Sequence, residues 1–218
     1  MTRVINETRT CAMCGKESAQ RMCLSVYSCG YTGLDLRDPG TSSMTMGASY
    51  EKCPHCGYIG TSIEEEPKDP AYMKKLVRKK LLCPPLGIIT LVLLPIATDL
   101  YRLSLLFRHE GNVEWEFRAL LYTIWICDER FDRGTARRLR KRLLKLFDHL
   151  DDNIEPTGDA RVLMKADIMR RAHKFRKVVA EFSDVTLEDE ELNKALAFEV
   201  QLAKQRDDDE HDMHEVPE

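Results

Sequence analysis

No apolar stretch in this sequence is long enough to cross a bilayer. The longest, Leu86 to Ala97, has 12 residues and would reach roughly 18 Å as a helix, against about 30 Å of hydrocarbon. Pro84 and Pro85 precede it, Pro95 interrupts it, and Asp99 and Arg102 follow it. A buried first helix of a helical domain is therefore expected, with Trp115 and Trp125 as core neighbours. Peripheral membrane contact through the basic residues ahead of the run is the competing reading. The opening residues, MTRVINETRT, have no apolar core, which argues against a secretory signal.

Catalytic signatures are missing as well. There is no nucleophile elbow, phosphate loop or HExxH, and the six histidines are scattered at positions 55, 109, 149, 173, 211 and 214. The segment DDDEHDMH near the C-terminus offers loose metal ligands, but its composition reads as a solvated tail. The chain is read as non-enzymatic.

What is present is cysteine in pairs. Eight cysteines in 218 residues are too dilute for a small disulfide scaffold, and their pairing favours metal in a reducing, cytoplasmic compartment. CAMCGK (Cys11 to Lys16) and CPHCG (Cys53 to Gly57) are near duplicates. A Cys-x-x-Cys turn aims both sulfurs at one ion while backbone amides hydrogen-bond to them. The glycine after the second cysteine supplies the left-handed backbone that closes the turn. Cys11, Cys14, Cys53 and Cys56 together give the tetrahedral four-thiolate shell of one structural Zn2+. Such a shell has no open position for catalysis and folds a module too small to support itself. A thioredoxin-type redox site would carry one such pair ahead of a helix, not two followed by glycine. Iron fits four thiolates too, although zinc is the commoner structural ion. Pro54 stiffens the second turn and His55 is expected to face solvent. Cys23 and Cys29 lack matching spacing and are read as ordinary residues of the module, with a spare-ligand role as the alternative. Cys83 and Cys127 fall in apolar contexts and are read as buried thiols.

The net charge of −3 conceals an asymmetry: −2 over residues 1–67, +9 over 68–182 and −10 over 183–218. A basic middle followed by an acidic end either binds a polyanion or neutralises itself, within the molecule or across a dimer.

These patterns divide the chain into an α+β arrangement. Residues 1–67 hold short extended runs such as RMCLSVYS and SYEKC between Gly, Pro, Ser and Asp turns, as in a small zinc-ribbon β module. EEEPKDP then reads as a linker. Residues 71–206 have helical periodicity and form an all-α domain of helical hairpins. In TARRLRKRLLKLFDHL, for example, Leu139, Leu143, Leu146, Phe147 and Leu150 share a face. Further helices are expected near 95–109, 113–127, 159–172 and 188–206, with Gly111 and Ala172 at tight turns. Residues 207–218 are expected to be a disordered acidic tail.

GLDLRDPG (Gly33 to Gly40), TMGASYEKCPHCGY, ALLYTIWICDE, KADIMRRAHKF and LAFEVQLAKQRDDDEH resemble a bacterial family of unassigned function. Its members join a split four-cysteine zinc ribbon, with an Asp-Leu-Asp-x-Arg-Pro-like stretch between the knuckles, to a tetratricopeptide-like helical tail. Asp38, between Arg37 and Pro39, and the apolar PPLGIITLVLLP depart from that pattern. The resemblance carries no activity over.

Two functions follow as expectations. One is a non-catalytic zinc-binding adaptor whose helical hairpins present a surface to a protein partner. The alternative is a nucleic-acid binder using the basic helix 133–145, although the ribbon half is acidic and lacks interleaved aromatic and basic residues. Asp35 and Arg37 are the candidate functional polar residues of the insert, with a structural pair fixing the loop as the competing reading.

Overall fold

The computed structural model describes residues 2–78 and 95–217. Cys83 and residues 86–94 of the apolar run lie outside the described residues. The run's last three, Pro95 to Ala97, open a helix in which Ala97 is buried. The described residues form an α+β chain with eight helices, divided into two compact units.

The first unit takes residues 1–27 and 40–132. Strands β1 (Arg3–Thr10) and β2 (Glu17–Ser25) pair antiparallel, with Thr10 opposite Glu17 and the first cysteine turn as their connection. Strands β3 (Glu51–Lys52) and β4 (Ile59–Gly60) form a second, shorter antiparallel pair around the second turn. The side chain of Gln20 joins the two hairpins. It accepts from the Lys52 amide at 3.0 Å and donates to the Lys52 carbonyl at 3.2 Å, standing in for a missing backbone pair. Helix α1 (Ser43–Met46) begins on a Ser42–Thr45 capping box. Helices α2 (Pro70–Arg78), α3 (Pro95–Glu110) and α4 (Val113–Glu129) complete the unit.

Contacts in this unit redraw the expected boundary near residue 70. Lys52 Nζ reaches the buried Asp99 of α3 at 2.8 Å, and the Tyr50 hydroxyl donates to the same carboxylate at 3.4 Å. Helices α2, α3 and α4 therefore belong with the cysteine module, not to a separate helical domain. Trp125 is buried as expected, whereas Trp115, expected in the core, is 39% exposed.

The second unit takes residues 28–39 and 133–218. It holds α5 (Arg133–Phe147), α6 (Gly158–Arg171), α7 (Phe175–Phe182) and α8 (Glu190–Gln205). α6 packs on α5, α7 and α8. The insert between the cysteine pairs also belongs here: Leu34, fully buried, sits in one core with Leu163, Met169, Phe182, Leu196 and Val200.

The acidic end, expected to be a disordered tail, is built into this unit. Leu34 donates to the His211 carbonyl at 3.0 Å, Met213 donates to the Thr32 carbonyl at 2.9 Å, and Gly33 bridges Asp212. Its backbone also serves Arg170, which is fully buried. The guanidinium donates to Glu199 at 2.6 and 3.2 Å, to Asp167 at 3.0 Å, and to the carbonyls of Asp207 and Asp209 at 3.1 and 2.9 Å. Neighbouring Arg171 lies 3.5 Å from Asp35 and 3.4 Å from Glu210. Burial drives both buried acids upward, Asp35 to about 6 and Glu199 to about 7, with the Asp167 charge adding to the effect in each case.

Four helices end alike. After α3, α4, α6 and α8 a left-handed residue (Gly111, Phe131, His173, Arg206) is followed by an amide that bonds five residues back. These bonds run from Asn112 to Phe107, Asp132 to Cys127, Lys174 to Met169 and Asp207 to Leu202. Each closes the orphan carbonyls of the last turn. Only one of the four positions is glycine, so glycine alone could not mark these turns in the sequence. The α6 turn, expected at Ala172, has His173 as its left-handed residue.

Candidate metal centre

The two cysteine turns bring four sulfurs together. The Sγ atoms of Cys11, Cys14, Cys53 and Cys56 all lie within 4.8 Å of one another. Cys11 is 3.7 Å from Cys56, and Cys14 is 3.6 Å from Cys53. A disulfide would need about 2.05 Å. A tetrahedral ion holding thiolates at about 2.3 Å has sulfur–sulfur edges of about 3.8 Å, close to both separations. The donor set therefore fits a metal ion.

Each turn is closed by the same bonds. Gly15 donates to the Cys11 carbonyl at 2.7 Å, and Gly57 donates to the Cys53 carbonyl at 2.9 Å. The hairpin bonds Cys11 to Lys16 (3.0 Å) and Cys53 to Tyr58 (2.8 Å) lock the flanks. Gly15 and Gly57 have φ of +69° and +77°, the left-handed conformation anticipated for them. At Gly57 space also forbids a side chain, since a Cβ would meet Val77 Cγ1 of α2 at 2.7 Å.

The electrostatics explain why a cation belongs here. Cys11 and Cys53 are fully buried. Burial pushes the Cys11 thiol up to about 12, against the opposing amides of Met13 and Cys14. At Cys53 burial also acts upward, but the amides of Cys56 and His55 and the neighbouring thiols outweigh it, and the thiol falls to about 7. Burial raises Cys56. Four thiolates in this space repel, and a divalent ion supplies the charge that lets all of them ionise together.

The remaining sequence candidates lie elsewhere. His55 is exposed, its ring 3.2 Å from the Glu17 carbonyl. Cys23 sits in β2 with its sulfur 3.4 Å from the Ser25 carbonyl, and the exposed Cys29 belongs to the second unit. Neither joins the sulfur cluster, and Cys127 is a buried thiol of α4. Asp35 is buried against Arg171 and accepts the Arg37 amide at 3.2 Å, a contact that holds the insert in shape. The basic helix is interrupted. Arg133 pairs with Asp209 at 2.6 Å, Arg137 lies 3.1 Å from the His173 ring, and Arg140 is buried. Self-neutralisation within the molecule is thus visible at Arg133–Asp209. Sequence reasoning missed the Arg170–Glu199 pair. The available signal was a charged residue, Arg170, on the same helix face as Leu163 and Ala166.

No protein-family model, curated protein or solved structure matches the chain. Among the described residues, no helix is long and apolar enough to cross a membrane.

Proposed function

We propose that the chain is a non-catalytic, zinc-binding interaction protein. The observation that carries this reading is the closed donor set: four cysteines within 4.8 Å of one another fill a tetrahedral shell. Zinc is the ion that suits four thiolates held by two rigid turns, and its role is to fold the small hairpin module. The helix-turn-helix pairs give the adaptor its surface for a protein partner, in the manner of tetratricopeptide-like repeats. The nucleic-acid alternative retains only part of its basic helix, because Arg133, Arg137 and Arg140 are paired or buried.

Affinity capture of the tagged chain from its own cells, with and without nuclease, separates the two. The adaptor reading expects a stoichiometric protein partner that survives nuclease and rebinds the purified chain. Recovery of nuclease-sensitive material alone would favour nucleic acid instead.

A further inference from the structure

α7 starts on an uncapped turn. α4 and α8 begin on Asn112 and Asp189, whose side chains accept first-turn amides, whereas Lys174 ahead of α7 provides no such bond. The Lys177 and Val178 amides of its first turn donate to the Lys174 carbonyl at 2.8 and 3.1 Å. Beside them lies a cavity of about 410 Å3 lined by His173, Lys174, Phe175, Arg176, Lys177 and Arg206.

The lining of this cavity is mostly cationic. Arg133, Lys165, Arg170 and Arg171 each face a carboxylate. Among the described residues, Lys174, Arg176, Lys177 and Arg206 form no ion pair. His173 is held by Asp208 at 2.7 Å on one side and faces Arg137 at 3.1 Å on the other. Four cations without an ion pair thus line one hollow, with the half-buried Phe175 beside them. Like charges gathered in this way repel, and an anion relieves them.

We propose that this cavity binds the phosphate groups of a small phosphorylated molecule. Its volume lies within the usual range for small-ligand sites, about 300–1,000 Å3. Arginine forks and lysine ammonium groups are the side chains that hold phosphate. The cations meet in one concavity, not along a strip spaced for successive phosphates, which favours a small ligand over a nucleic acid. The site is independent of the sulfur cluster.

Isothermal titration of the full chain with inorganic phosphate and pyrophosphate, in 0.15 M salt, tests this. The expected result is saturable binding at one site, with pyrophosphate the tighter ligand. Arg176→Gln with Lys177→Gln should weaken pyrophosphate at least about tenfold. Arg138→Gln with Lys141→Gln removes the same charge from exposed positions on α5 and should change it less than about twofold. Far-UV circular dichroism establishes that both pairs remain folded. Absence of saturation, or equal weakening by both pairs, overturns the proposal. So does a single-stranded RNA that binds more tightly than pyrophosphate and is lost with the Arg176 and Lys177 pair.

Discussion

Replacing Arg170 with methionine should destabilise the second unit more than any other conservative change there. The guanidinium is fully buried and makes five hydrogen bonds: three to Glu199 and Asp167, and two to the carbonyls of Asp207 and Asp209. Methionine fills much of the same volume but leaves two buried carboxylates without their principal cation. Breaking a buried pair from one side costs about 3–5 kcal/mol. The deficit should also depend on pH. Burial already raises Glu199 to about 7, and Arg170, with a smaller contribution from Arg171, opposes the rise. A carboxyl whose folded pKa exceeds its unfolded value takes up protons on folding, so it favours the fold increasingly as pH falls through the folded pKa toward the unfolded one. In Arg170→Met Glu199 should rise further, so the deficit should be largest near pH 8 and smaller near pH 6. Both tryptophans lie in the first unit, so urea unfolding is better followed by far-UV circular dichroism, with hydrogen exchange resolved on α6 and α8. A loss below about 1 kcal/mol, less than the range for a broken buried pair, or a loss equal at the two pH values, would refute the reasoning.

Two further substitutions separate local effects. Gly15→Ala meets open space and should show only the strain of a left-handed alanine, about 1–2 kcal/mol, whereas Gly57→Ala adds a 2.7 Å approach to Val77. Metal retention against a chelator should therefore fall further for Gly57→Ala, and Val77→Ala should restore part of the difference. Leu34→Ala empties a fully buried position in the second unit and should cost about 2–5 kcal/mol, read as faster exchange in α6 and α8. The metal content of that variant should stay unchanged.

The parts of this structure that could be read early are those fixed by local chemistry. Two Cys-x-x-Cys-Gly turns announce themselves because ligand spacing and a left-handed glycine leave little choice. The helices from Pro95, Val113 and Gly158 follow from apolar periodicity and fall within a residue or two of expectation. β1 was missed because RVINETRT is largely polar, and its strand pairs with β2. The insert's role was hidden because Leu34 meets His211 across 177 residues of sequence, and no local signal encodes that pairing. DDDEHD resembles a solvated tail for a related reason. Arg170 takes the carbonyls of Asp207 and Asp209, so composition, which reports side chains, says nothing about it. Asp35 attracted notice as an insert carboxylate, but its partner Arg171 lies on α6 and could be named only once the fold was known.

The central claim is a single zinc ion on Cys11, Cys14, Cys53 and Cys56, and elemental analysis of the purified chain beside its Cys53→Ser variant tests it most directly. The account predicts one zinc per wild-type chain, with zinc lost in the variant together with order in β1 to β4, while the helices of the second unit remain protected in hydrogen exchange. A wild-type chain without zinc, or a Cys53→Ser chain that keeps its full complement, would contradict it.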